Sequence, residues 1–209
     1  SGLLERRDNS STFSVPQHAQ PLISNSEALY AACNLSQLKV TPRLKAVFQE
    51  GGGIPWGELN PDISACTCCA TAATYNVALL PSLPAEIIAK LKAGACIADV
   101  GCGQGTAACM LAEQFPRARV HGYDYHALSI EAAVCLAEDK GLKNVHFAAS
   151  PSDDFAADAS HDILCFLDCF HDMAVATRAA KHAYRVLKPD GMLFLVEPMA
   201  AELDSVTEQ

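Results

Sequence analysis

Ala95-Cys96-Ile97-Ala98-Asp99-Val100-Gly101-Cys102-Gly103-Gln104-Gly105-Thr106 is the stretch whose reading decides the fold. It opens as an apolar run of strand length and turns through three glycines at alternate positions. It then continues into Ala107-Ala108-Cys109-Met110-Leu111-Ala112, which reads as the opening of a helix. Strand, glycine turn and helix start together bring bare backbone N–H groups and a positive helix end to one spot. A Cβ there would hold a ligand off the main chain, and such turns often demand φ > 0. The expected ligand is a negatively charged or carboxylate-bearing nucleoside. Taken alone, Gly101, Gly103 and Gly105 fit a tight strand-to-helix turn equally well; the surrounding pattern decides.

The spacing narrows the ligand. In a dinucleotide fingerprint, G-x-G-x-x-G, the third glycine would fall at Thr106. Here it comes one place early, which disfavours oxidoreduction with a nicotinamide cofactor. Downstream, strands and helices alternate. Arg119–Tyr123 is a second strand ending at Asp124, and a helix follows with Ile130, Ala133, Val134 and Ala137 inward and Gly141 as its stop. Val145–Ala148 is a third strand, and Asp162–Leu167 a fourth, apolar enough to lie at the centre of a parallel sheet. A helix over Ala174–Leu187 ends in the turn Lys188-Pro189-Asp190-Gly191, and Met192–Val196 is a fifth strand. This alternation predicts an α/β fold, a doubly wound open sheet with right-handed crossovers.

Ahead of that core the sequence reads as mainly helical. Thr12–Val15 alternates like a short strand or wing before Pro16. Helical spacing runs from Ser26 to Leu38, and Thr41-Pro42 opens a helix that closes at Gly51-Gly52-Gly53. Asn60-Pro61-Asp62 starts a longer helix expected to stop before Pro81. Ser82 caps another, with Ile87, Ile88 and Leu91 inward and Gly94 at its end, which would cover one edge of the nucleotide site.

Composition sets outer bounds. A chain of 209 residues, half of them hydrophobic, can bury one sizeable core. Its net charge of −9, with no clustered basic face, disfavours nucleic acid as a partner. No apolar run approaches the ~20 residues of a membrane span, and no signal sequence is seen, so a soluble, cytoplasmic protein without a membrane partner is expected. Of ten cysteines, Cys96, Cys102, Cys109, Cys135, Cys165 and Cys169 fall in the strand and helix pattern, where a free thiol acts as a small hydrophobe. Cys66-Thr67-Cys68-Cys69 has a C-x-x-C spacing but no second ligand pair, so no metal site is expected.

In a doubly wound sheet the ligand lies across the carboxyl ends of the strands. Asp124 stands there, 23 residues after Gly101, near the spacing of an acid that grips ribose hydroxyls. A helix N-cap is the other reading of the same residue. The fourth strand ends in Asp168-Cys169-Phe170-His171-Asp172-Met173. His171 could deprotonate or orient an acceptor group, with Asp168 or Asp172 fixing its tautomer. Alternatively, Asp172 caps the next helix and His171 packs beneath it; the two readings stand level.

Asp99-Val100-Gly101-Cys102-Gly103-Gln104-Gly105, Gly122-Tyr123-Asp124, Asp168–Met173 and Leu187-Lys188-Pro189-Asp190-Gly191 with Val196-Glu197-Pro198 together resemble the class I S-adenosylmethionine-dependent methyltransferases. The closer likeness is to the subgroup with an N-terminal winged-helix dimerisation domain. Phe13–Ala19 resembles the end of that domain, and Gly51–Trp56 the linker to a helical lid. The resemblance implies a Rossmann-like sheet of strand order 3-2-1-4-5, with the family's last strand pair missing and the chain shortened at both ends. It implies a dimerisation segment and linker over residues 1–57, and a cofactor-binding domain with a helical lid over 58–209. S-adenosyl-L-methionine is the implied cofactor, held by Asp99, Gly101, Cys102, Gly103, Gly105, Asp124, Tyr125, Ser150 and Asp168, with His171 and Asp168 catalytic. The acid that usually meets the adenine amino group is replaced by Pro151, leaving Ser150, Ser152 or Asp153 for that contact. The implied activity is methyl transfer to a small-molecule acceptor, with a homodimer formed through the N-terminal segment. The competing reading is a module that binds the cofactor without transferring its methyl group.

Overall fold

Apolar residues on both faces put Cys96–Val100 in the middle of a sheet, and in the computed structural model all five are buried. The structure describes residues 38–59 and 75–198, with 5–6, 13–14, 63, 67–68 and 71–72. The chain divides into two compact units, Ser1–Leu79 and Leu80–Gln209.

In the first unit, strands β1 (Glu5–Arg6) and β2 (Phe13–Ser14) pair antiparallel. Helix α1 (Thr41–Glu50) has Pro42 in its first turn and is closed by Gly51 at φ 82, but Val40 rather than Thr41, the cap expected from Thr41-Pro42, holds the cap position. Arg43 pairs with the Glu58 carboxylate in the turn that follows Pro55. The helix expected over 26–38, most of the one from Asn60 and the remainder of the winged segment lie outside the described residues. Two boundaries differ from the sequence reading here: Tyr75–Leu79 is a π-turn and Leu80–Ser82 is helical, so helical backbone does not stop before Pro81, and Pro84 rather than Ser82 holds the cap position of the helix from Ala85.

The second unit holds α2 (Ala85–Ala93), β3 (Cys96–Val100), α3 (Thr106–Gln114), β4 (Arg119–Asp124), α4 (Ala127–Asp139), β5 (Val145–Ala149), β6 (His161–Leu167), α5 (Ala176–Val186) and β7 (Leu187–Val196). The sheet is parallel in the order β5-β4-β3-β6-β7, the 3-2-1-4-5 arrangement counted from β3. Strand order therefore reverses beside β3, and in sheets of this kind the ligand lies at that point, outside the carboxyl ends of the strands. Ala179, Ala183 and Val186 of α5 pack on Ala98, Val100, Leu164 and Phe166 to make the core of one face. Val134, expected inward, sits on the outer side of α4, whose buried residues are Ser129, Ile130, Ala133 and Ala137.

Lys188-Pro189-Asp190-Gly191 is not a loop before the last strand. Strand β7 starts at Leu187 opposite His161 and resumes at Met192 opposite Ile163, so those four residues bulge out of it. Proline is tolerated at such a bulge because the ladder needs no N–H from it.

One aromatic ring sets the spacing between turn and sheet. Phe147 on β5 lies opposite Gly122 on β4. A Cβ on Gly122 would come within 2.4 Å of that ring, and one on Gly105 within 2.7 Å of both the ring and the Ala133 methyl. Gly105 also sits at φ 76, whereas Gly103 at φ 53 has nothing within 4 Å of a would-be Cβ. Gly105→Ala should therefore cost about 2–4 kcal/mol, conformational strain plus overpacking, and Gly103→Ala only about 1–2 kcal/mol of strain. Chemical denaturation of the two variants checks this, and equal losses would remove the packing role assigned to Gly105.

Candidate cofactor and active site

The amides of the glycine turn are largely engaged, contrary to the bare N–H groups expected from the sequence. Gly101 and Cys102 N–H both donate to the Tyr123 carbonyl at 2.7 and 3.1 Å, and Gly105 N–H donates to the Cys102 carbonyl. Gly103 N–H donates to Asp124 Oδ2 at 2.9 Å. These bonds dock the turn onto the end of β4, so what it offers a ligand is the uncovered Cα side of Gly103. A Cβ at Gly101 would strike the Cys169 side chain at 2.7 Å, and Gly105 is buried beneath α4.

Asp124 holds the turn and the next helix at once. Its Oδ1 accepts from His126 N–H at 2.9 Å, two residues on, and His126 itself occupies the cap position of α4. The N-cap reading of Asp124 therefore does not apply. With one bond to each oxygen, the carboxylate keeps lone pairs for hydroxyl donors. Ser150, at the end of β5, donates its N–H to the Asp124 carbonyl at 2.8 Å, which brings those two strand ends together. Tyr125 and Pro151 are exposed beside them.

Asp99 is the more costly acid. It is 1% exposed, and its Oδ2 is the one buried side-chain oxygen or nitrogen among the described residues without a partner. Burial first, then the charge of Asp124, push its carboxyl up to about 7. Cys165 Sγ stands 3.9 Å from Oδ1 and donates to the Ala98 carbonyl at 3.2 Å, while Cys169 Sγ donates to the Val100 carbonyl at 3.0 Å. Burial also raises the Cys102, Cys165 and Cys169 thiols, so they surround the acid as neutral groups.

On the other side of β3, β6 ends just before Asp168, whose φ of 58 lies in the left-handed region and whose N–H donates to the Val196 carbonyl at 2.7 Å. Glu197, which sequence reasoning did not single out, organises the loop that follows. Its Oε1 accepts from Cys169 and Phe170 N–H at 3.1 and 2.7 Å, and its Oε2 bonds His171 Nδ1. The Glu197 hydrogen bond, against a small opposing effect of burial, raises the His171 imidazole above its ordinary value. Burial opposes ionisation of Glu197, but the bonds from His171, Phe170 and Cys169 hold it below the usual carboxylate range. Asp172 Oδ1 lies 3.5 Å from His171 Nε2. Asp172 belongs to a short turn over Phe170–Asp172, while α5 starts at Ala176, so it caps no helix; nor is His171 packed away, its side chain being 45% exposed. A signal for Glu197 was present: it follows the last apolar residue of a strand, the position that singled out Asp124 and Asp168.

A cofactor with a cationic centre and a ribose fits these groups. The unpartnered Asp99 oxygen lacks a donor or positive charge, Asp124 has lone pairs for hydroxyls, and Gly103 leaves its backbone open. Residues 91–209 match the model of the methyltransferase domain. The chain belongs to that family.

Membership in this class I fold makes S-adenosyl-L-methionine the cofactor of the methyltransferase domain. Among curated proteins, the chain is 43% identical over 49 residues to a tRNA (guanine-N(7)-)-methyltransferase of Rubrobacter xylanophilus, covering 23% of this chain and 22% of that protein. It is 29% identical over 107 residues to the uncharacterised methyltransferase YcgJ of Bacillus subtilis, covering 51% of this chain and 42% of that one. The YcgJ crystal structure superposes with a TM-score of 0.50 at 25% identity, over 59% of this chain and 54% of that chain. BH2331 from Bacillus halodurans, described as a methyltransferase, gives 0.51 at 26%, over 57% and 52%. The chain thus spans less than half the length of the curated relatives it matches.

Asp99 makes stability without cofactor depend on pH. Folding raises its pKa from 3.8 to about 7, so its contribution is fully present below the unfolded value and is lost as pH climbs through about 7. The cofactor-free chain should therefore melt at a lower temperature at pH 8 than at pH 6, and Asp99→Asn should flatten that difference. Thermal denaturation across this range checks it; an unchanged slope in the variant would mean Asp99 is not the titrating group.

Proposed function

We propose that this chain transfers the methyl group of S-adenosyl-L-methionine to a small-molecule acceptor. The observation that carries the reading is the trio of Asp99, Gly103 and Asp124. A buried acid lacking a partner, an uncovered glycine and a second acid with free lone pairs stand at the end of the central strand and its neighbour. Asp124 holds the ribose hydroxyls, and Asp99 faces the positive end of the amino acid part. The bound cofactor supplies a methyl group on a sulfonium, already a good leaving group. In-line positioning then provides most of the acceleration.

His171 handles the acceptor's proton. Its Nδ1 is held by Glu197, so the ring is oriented, and Nε2 is the atom left to take a proton from a hydroxyl, amine or thiol. Asp172 beside Nε2 stabilises the imidazolium once formed. Asp168, which follows the last residue of β6, is assigned to the cofactor and, with His171, to the catalytic group. The ends of β4 and β6 lie two strand spacings apart, about 10 Å, with β3 between them. That separation lets one molecule of nucleoside size touch Asp124 at one end and approach the Asp168–Asp172 loop at the other.

The net charge of −9 supports a small acceptor over the tRNA named for the Rubrobacter relative. Residues 1–57 serve as the dimerisation segment and linker, and the domain from residue 58 carries a helical lid.

Calorimetry with S-adenosylhomocysteine tests the cofactor site: Asp124→Ala should weaken binding by about 1–3 kcal/mol. Equal affinity in variant and parent would remove the ribose assignment. For the acceptor side, labelled methyl transfer to the small-molecule fraction of a cell extract should be lost in His171→Ala while cofactor binding persists. In Glu197→Gln the pH at which transfer rises should move downward, because the raised imidazole pKa depends on that carboxylate. Label appearing in tRNA instead would replace the acceptor class, and unchanged transfer in His171→Ala would end its catalytic role.

A further inference from the structure

At the opposite edge of the sheet, three side chains converge that methyl transfer does not use. His121 Nδ1 lies 3.0 Å from His161 Nε2 and 3.7 Å from Cys96 Sγ, and all three atoms fall within 4.8 Å of one another. We propose that Cys96, His121 and His161 bind one late first-row divalent metal ion, zinc above all, which clamps β3, β4 and β6 together.

The spacing fits. For zinc bonds of 2.3 Å to sulfur and about 2.05 Å to nitrogen, a tetrahedral angle sets S···N at about 3.6 Å and N···N at about 3.3 Å. The observed 3.7 Å from Cys96 Sγ to His121 Nδ1 and 3.0 Å between the two imidazole nitrogens need adjustments of a few tenths of an ångström, and the Cys96–His161 pair, within 4.8 Å, closes by rotation of the Cys96 side chain. One thiolate and two imidazoles also form a donor set that zinc and its neighbours prefer over magnesium or calcium.

The fold explains how ligands on nonadjacent strands meet. His121 on β4 and His161 on β6 are separated by β3, a gap of about 10 Å between backbones. The residue opposite His121 on β3 is Ala98, so the imidazole can lean over that strand without meeting a larger side chain. Cys96, two residues earlier, points to the same face as Ala98. The His161 ring packs edge-on against His121 at 5.2 Å between centroids, and Tyr123 borders both rings.

A second layer of bonds prepares the ligand atoms. The Ser160 hydroxyl donates to the Ala157 carbonyl at 2.5 Å, so its oxygen accepts from His161 Nδ1–H at 2.8 Å. That assigns the His161 proton to Nδ1 and leaves the Nε2 lone pair facing the cluster, the arrangement found behind metal-binding histidines. Without metal, His121 Nδ1–H donates to that lone pair, with Cys96 Sγ 3.7 Å away as a weak second acceptor. With metal, the cation takes the place of this proton, which moves to His121 Nε2, and Cys96 gives up its thiol proton. One proton is released per ion.

The surrounding charges act in both directions. Burial raises the Cys96 thiol, while Arg119, bonded to it, draws it down; Asp162 and Lys188 oppose one another from the edge of β6 and β7. Burial keeps both imidazoles in the neutral form that binds metal, with His161 lowered to about 4 and His121 lowered further by His146 and Arg119. Cys96 and Val100 begin and end one strand, about 13 Å apart, so the ion is structural and takes no part in methyl transfer.

The test uses the full chain, stripped with a chelator and titrated with cobalt(II) in a Cys66→Ser, Cys69→Ser background that removes the competing C-x-x-C pair. One equivalent should bind, with a thiolate-to-cobalt charge-transfer band, tetrahedral visible bands and one proton released. Cys96→Ser should abolish the charge-transfer band, and Ser160→Ala should weaken affinity about 10–100-fold. Zinc should raise the melting temperature of the parent and leave Cys96→Ser unmoved. Should Cys96→Ser fail to fold, His121→Gln provides the second arm and should weaken binding at least tenfold. Absence of the band in the background chain, its persistence in Cys96→Ser, or full affinity in His121→Gln would each overturn the site.

Discussion

Two carboxylates buried at the ends of adjacent parallel strands constrain everything else at the carboxyl edge of this sheet. Asp124 is held by two main-chain amides; Asp99 has one oxygen with no partner and three neutral thiols nearby. An unpaired buried acceptor costs about 1–3 kcal/mol, and a like charge close by adds to it. Such an arrangement persists when something else offsets it. In the proposed site a cofactor bearing a positive centre would do so, which would link binding energy to folding energy: the group that destabilises the empty domain would favour the occupied one.

The same economy of contacts explains the glycines. The sequence pattern suggests three glycines serving one ligand, but their surroundings differ. Gly105 and Gly122 make room for Phe147, Gly101 makes room for Cys169, and Gly103 alone leaves backbone uncovered. Close packing of turn on sheet comes first, and Gly103 is the one glycine of the turn that this packing leaves open. A turn of this kind is rigid because its amides are tied to Tyr123 and Asp124, which suits a site whose contribution is positioning.

What could be read in advance follows from how far each signal reaches along the chain. Strand alternation, the glycine turn and the strand order rest on local periodicity and on the handedness of crossovers, so residues 95 to 196 were legible almost element by element. Asp99, Asp124, Asp168 and His171 were legible as strand-end residues. The fate of the turn amides was not, because it depends on a carbonyl from the neighbouring strand. Lys188-Pro189-Asp190-Gly191 reads as a loop because a bulge uses the same residue types as a turn; only the register with His161 and Ile163 distinguishes them. Glu197 was overlooked for a related reason, since its partners are two amides and an imidazole from the loop after β6.

Cys96, His121 and His161 carry that lesson furthest. They are separated by 25 and 40 residues, so no spacing motif connects them, and each alone passes for an ordinary strand residue. In a parallel sheet, residues far apart in sequence become neighbours wherever strands lie side by side, and a small residue such as Ala98 lets side chains meet across an intervening strand. The carboxyl edge of such a sheet is free to vary because loops end there. At the amino edge the same strands begin, and the proposed ligand set of Cys96, His121 and His161 would tie three of them together there. Division of the sheet into a reactive edge and an anchored edge follows from running all five strands in one direction.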